Sequence, residues 1–105
     1  EEITDVTNSS GSTYDVGDTE YMIFNTWSGG NGTATINLPR AGDNEGRLLR
    51  FKSDETIGAN TAITLSPSSP DTIDGDAEFS FNRDYDGVML LAHNSNWYII
   101  QRKAK

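Results

Sequence analysis

The chain contains no cysteine, a single histidine and only three prolines among its 105 residues. Without cysteine, neither a disulfide staple nor a thiolate metal site is available. Bases are scarce: eight Lys and Arg stand against sixteen Asp and Glu, for a net charge of −8. A phosphate backbone calls for clustered Lys and Arg, so this balance argues against nucleic acid as a partner. No apolar run approaches the roughly 18 residues that span a bilayer, and no basic-then-apolar leader opens the sequence. Membrane insertion is therefore not expected. Hydrophobic residues reach 34%, below the roughly 45–50% of ordinary globular chains. A domain this short buries only about 60–65% of the surface its unfolded chain exposes. A thin core without a staple leaves oligomerisation as the expected route to stability. Initiator methionine is normally retained before glutamate, so a sequence opening on Glu1 suggests a piece of a longer polypeptide.

Helical periodicity is also missing. Residues 1–13, EEITDVTNSSGST, are polar and end in a Ser/Gly/Thr cluster, which reads as a disordered neck or linker. From Tyr14 onward the period is two, so residues 14–105 are expected to form one β domain. In EYMIFNTW, Tyr21, Ile23 and Asn25 share one face, while Met22, Phe24 and Thr26 share the other. A glycine-rich loop, SGGNG, follows. Ala34, Ile36 and Leu38 then alternate with polar residues up to Pro39, and the same pattern returns at Leu49 and Phe51, at Ile63 and Leu65, and at Phe79 and Phe81. The last two segments, DGVMLLA and NWYIIQR, are apolar on both faces, as central strands or strands covered by another subunit would be. Six or seven short strands at roughly ten-residue intervals indicate an all-β fold, a small antiparallel β-sandwich or barrel-like domain.

The stretch DTIDGDAEF, residues 71–79, gathers Asp71, Asp74, Asp76 and Glu78 around Ile73. Calcium loops place carboxylates at alternating positions with a glycine for the bend. The D-x-D-x-D-G register is absent here, whereas Asp74-Gly75 is a turn dipeptide and Ile73 its apolar anchor. A turn between strands, with solvated acids, explains more of the residues than a metal site. Carboxylate-pair hydrolysis needs two acids across a cleft, which spacing alone does not supply. His93 stands at a strand end without a cysteine or a G-x-S-x-G serine to activate, so it reads as a turn or interface residue. No catalytic, metal or cofactor site is expected.

Among the aromatics, Trp97 opens the last strand as a core or interface anchor. Trp27 abuts SGGNG; plain packing is the favoured reading, and it is also the one candidate for surface binding, as a platform for a sugar ring or a contact with a partner subunit. NSS at Asn8 and NGT at Asn31 are glycosylation sequons of the kind that arise often by chance. Charge is unevenly placed: Glu1, Glu2, Asp5, Asp15, Asp18 and Glu20 precede the first base, Arg40, whereas Arg102, Lys103 and Lys105 close the chain. Acidic and basic ends are expected to meet, within a subunit or between subunits.

Leu38-Pro39, Gly46 to Phe51, Asp71 to Gly75, Val88 to Leu90 and Asn96 to Ile100 occur in that order. The set resembles a module of tail fibres and other virion proteins of tailed bacteriophages: a strand ending in Leu-Pro, a Gly-started strand, D-T-I-x-G, a Val-x-Leu strand, a turn, then N-W-x-I-I. The turn before Trp97 reads HNSN here, where relatives often carry Asp-Gly. The resemblance covers roughly residues 16–101. It implies a homotrimeric β-sandwich-like domain on the exterior of a phage particle, contacting other virion proteins, and no catalysis. The expected trimer interface or shared core comprises Val88, Leu90, Leu91, Trp97, Ile99 and Ile100. Two roles fit such a trimer: a tail-fibre domain for host-surface attachment or fibre trimerisation, or a capsid decoration protein that cements the head. A carbohydrate-binding module using Trp27 and loop acids, with or without calcium, is the rival from another class; host-surface glycan would be its partner.

Overall fold

The computed structural model describes residues 3–57 and 61–103. Among these residues nine strands build two sheets: β1 (Ile3–Asn8), β2 (Thr13–Asp15), β3 (Met22–Trp27), β4 (Gly32–Asn37), β5 (Leu48–Ser53), β6 (Thr61–Ser66), β7 (Phe79–Phe81), β8 (Gly87–His93) and β9 (Asn96–Lys103). A 3₁₀ turn, Ala41–Asp43, lies between β4 and β5. The larger sheet has the order β1-β3-β5-β8-β9 and the smaller β2-β4-β6-β7. The all-β, sandwich-like expectation holds at this level.

The expected antiparallel arrangement does not. The first six strands alternate between the sheets, so β1, β3 and β5 stack in parallel, as do β2, β4 and β6. Antiparallel pairing enters only with β5–β8, β6–β7 and β8–β9. Both sheets are thus mixed, three stacked coils closed by a later hairpin. The loops explain the difference. SGGNG does not fold β4 back onto β3; it carries the chain across from one sheet to the other, with Gly29, Gly30 and Gly32 at positive φ. Such backbone is open to glycine at little cost.

The segment expected as a disordered neck is also partly built in. Residues 3–8 form β1 in register with all of β3, and Val6 and Asn8 are buried. Alternation in ITDVTN is weak because Asn8, not an aliphatic, takes an inner position. Its amide compensates by donating to Asn25 Oδ1 at 3.2 Å, while Asn25 donates to the Lys52 carbonyl at 3.2 Å. A short amide ladder therefore satisfies polar groups inside the sandwich, as burial demands.

Inner side chains of both sheets form one core. Ile23, Leu49, Phe51, Leu90 and Trp97 meet Ile36, Ile63, Leu65 and Phe81, all 2% exposed or less. Phe79 and Phe81 pack edge-to-face at 5.6 Å, and Phe51 lies 6.4 Å from Phe81. The radius of gyration is 12.7 Å, against roughly 13 Å for a self-standing domain of this length. A single protomer is therefore as compact as an independent domain. The interior is filled despite the low hydrophobic content, so the shortage inferred from composition does not by itself call for partner subunits.

Candidate functional site

The two outer faces differ in chemistry. On the smaller sheet, the outer positions are polar, Thr13, Asp15, Thr33, Thr35, Asn37, Thr64, Ser66 and Ser80; Thr64 Oγ1 lies 2.8 Å from Ser80 Oγ, and Asn37 Nδ2 donates to Asp15 Oδ1 at 2.8 Å. On the larger sheet, strict alternation places a second apolar set outward. Leu48 pairs across to Leu91, and Leu91 to Tyr98; one row further, Ile3, Met22, Arg50, Met89 and Gln101 lie in line. Ile3 is 65% exposed, Ile100 50%, Tyr98 38% and Leu48 37%. A bulge between Met89 and Leu90 sets both Ile100 and Gln101 opposite Met89. It adds an aliphatic side chain to the outer face. Exposed apolar residues gathered on one face make it the candidate interaction surface.

The six residues expected at an interface divide between the two sides of this sheet. Val88, Leu90 and Trp97 face inward and are buried in the protomer itself, with the Trp97 indole donating to the Pro39 carbonyl at 3.3 Å. Ile99 pairs with Leu90 and packs partly against that core. Only Leu91 and Ile100 lie on the outer face. Ile3, Met22, Phe24, Leu48, Met89 and Tyr98 were not among the expected interface residues, although the Met22/Phe24 side of EYMIFNTW carried the signal.

Trp27 is not a surface platform. It is 4% exposed, its indole donates to the Gly30 carbonyl at 2.8 Å, and its backbone N–H donates to Thr56 Oγ1 at 2.7 Å. The glycine loop folds back to satisfy the indole, so the ring closes one end of the core.

Beside the apolar rows is a shallow, open depression of about 200 Å³, whose lining includes Arg50, Lys52, Met89, Gln101 and Lys103. Gly87 creates it, standing in the outer row between Lys52 and Lys103. A Cβ there would meet the Phe51 carbonyl oxygen at 3.0 Å. Lys52 Nζ donates to the Tyr85 carbonyl at 2.6 Å. Behind the row, the Arg102 guanidinium sits 4.6 Å over the Phe79 ring and 3.5 Å from Asp86 Oδ2. Asp86 is fully buried, and its Oδ1 accepts the Gly87 N–H at 2.9 Å. Arg102 neutralises that buried carboxylate, which would otherwise be costly.

DTIDGD is a turn, with Asp74 and Gly75 both at positive φ and Ile73 bridged to Asp76. Its acids are not all solvated. Asp71 is buried and Oδ2 accepts the Ala41 N–H at 2.9 Å; Asp74 Oδ1 accepts the Ile99 N–H at 3.0 Å. The turn also pairs with β9, since Trp97 N–H donates to the Thr72 carbonyl and Asp74 N–H to the Trp97 carbonyl. These acids act as structural acceptors that cover the first half of β9. Among the described residues, no three His, Asp or Glu side chains converge as metal ligands do. His93 sits at the end of β8 against Glu45, both well exposed. The hydrogen bond from His93 and that from the Asn94 N–H hold the Glu45 carboxyl below its ordinary range. No protein-family model matches this chain, and a search of the curated proteins gives no significant match.

Proposed function

We propose that this chain is a non-enzymatic structural module that works as a homotrimer, its copies meeting through the outer face of the larger sheet. The carrying observation is the contrast between the two outer faces: hydroxyls, amides and a carboxylate on the smaller sheet, and Ile3, Leu48, Leu91, Tyr98 and Ile100 among the outer residues of the larger. An isolated protomer leaves that second set in water, and association removes it. Three-fold symmetry and a place on the exterior of a tailed-phage virion, as a tail-fibre domain for host attachment or fibre trimerisation, are supported by the ordered strand and turn elements from Leu38 to Ile100. The carbohydrate-binding reading loses its stacking side chain, because Trp27 belongs to the core. Light scattering of Leu91→Asp beside the parent chain tests the face directly. The variant should retain its β-sheet spectrum and lose the trimer mass, and a folded trimer from it would refute the assignment.

A further inference from the structure

β1 and β9 are the edge strands of the larger sheet: among the described residues β1 pairs with β3 alone, and β9 pairs with β8 and, at its start, with the turn through Ile73. The turn at Thr72–Asp74 covers β9 at Trp97 and Ile99; among the described residues nothing comparable covers Ile100–Lys103. Two antiparallel steps, β5 to β8 and β8 to β9, restore the original direction, so β9 runs the same way as β1. One outer row crosses the whole sheet: Asp5, Phe24, Lys52, Gly87, Lys103. It starts on an acid at one edge and ends on a base at the other, both exposed.

Resting on the assembly reading above, we infer that the β1 edge of one copy docks against the carboxyl half of β9 on the next, with Asp5 opposite Lys103. The partner is a second copy of this chain, and three observations select it. Rotation about an axis along the strands changes no residue's level, so a closed ring brings the two ends of this row together with their strands parallel. A two-fold axis perpendicular to the strands would instead pair like edge with like edge, β1 with β1 or β9 with β9, without the acid-to-base match. Finally, Arg50, Lys52 and Lys103 stand on the outer side of the depression at Gly87, while the chain as a whole carries a net charge of −8. Another copy therefore offers a surface of complementary charge to this end. Ile3, the most exposed large hydrophobic side chain among the described residues, flanks Asp5 on β1 and would be covered in the same contact.

A charge-swap experiment on the intact chain tests this pairing. Asp5→Lys and Lys103→Glu should each raise the dissociation constant of the assembly, on the order of tenfold at low salt. The double variant Asp5→Lys/Lys103→Glu should recover most of the loss. All four proteins should share one circular-dichroism spectrum, since both side chains are exposed. An assembling parent chain with unaffected single variants, or a double variant no better than the singles, overturns the Asp5–Lys103 contact while leaving the apolar face intact. A parent chain that stays monomeric overturns both.

Discussion

Replacing Ile100 by aspartate separates the stability of the protomer from that of the assembly. Ile100 sits at the β9 bulge with half its surface in water. Within the protomer the change touches an edge strand, where β-propensity differences amount to no more than about 1 kcal/mol. In the trimer the loss is larger. Covering the exposed half of an isoleucine is worth about 1 kcal/mol per copy. Enclosing an unpaired carboxylate adds several kcal/mol per ion even after relaxation. Together these come to roughly 4 kcal/mol per copy, nearly three decades in association constant for each. Light scattering should return monomer for Ile100→Asp at concentrations where the parent chain is assembled. The melting transition measured on that monomer should remain cooperative. Ser80→Asp, on the hydroxyl face of the smaller sheet, should leave the mass unchanged. A folded Ile100→Asp protein that still assembles with parental affinity would refute the reasoning.

Three further outcomes follow from the same geometry. Trp27→Ala should cost about 3–5 kcal/mol of folding stability, the range for emptying a large aromatic site, read as a lowered denaturation midpoint; an unchanged midpoint would return Trp27 to the surface. The Tyr14 hydroxyl is pushed up to about 12 by burial, by its hydrogen bond to Glu20 and by that carboxylate's charge. A raised folded-state value stabilises below the unfolded pKa of about 10 and is lost as pH rises from there to about 12. The stability difference between the parent chain and Tyr14→Phe should therefore shrink across that alkaline window, and an unchanged difference would contradict the shift. Disrupting the edge contact through Asp5→Lys, and restoring it with Lys103→Glu, should change the salt dependence of assembly as well as its strength.

Strand positions were legible because inner and outer residues differ in polarity at period two, as in Ala34–Ile36–Leu38 and Phe79–Phe81. Strand direction was not. Alternation is identical in parallel and antiparallel pairs, and the glycine loop at 28–32 serves a corner between sheets as readily as a reversal. For the same reason the stacking of three coils leaves no repeat in the sequence: Ile3, Met22 and Arg50 occupy equivalent positions with unlike side chains and unequal spacing. β1 escaped detection because Asn8 fills an inner site through an amide ladder that no hydropathy pattern reports. At the candidate surface, the doubly apolar character of β8 and β9 was plain in DGVMLLA and NWYIIQR. Which face belonged to the protomer core and which to solvent depended on the opposing sheet. Val88, Leu90 and Trp97 found their partners inside the subunit, and only Leu91 and Ile100 remained for a neighbour. Packing, the favoured reading of Trp27, holds and its surface alternative fails: the neighbouring glycines suggested an exposed loop tip, whereas Gly30 and Thr56 close around the ring.

The most direct test of the account is the mass of the unmodified chain in solution, measured by light scattering across a dilution series at low salt. The assembly predicts three times the 11.5 kDa protomer mass, falling toward one protomer on dilution. A folded species of a single protomer mass at every concentration would contradict it.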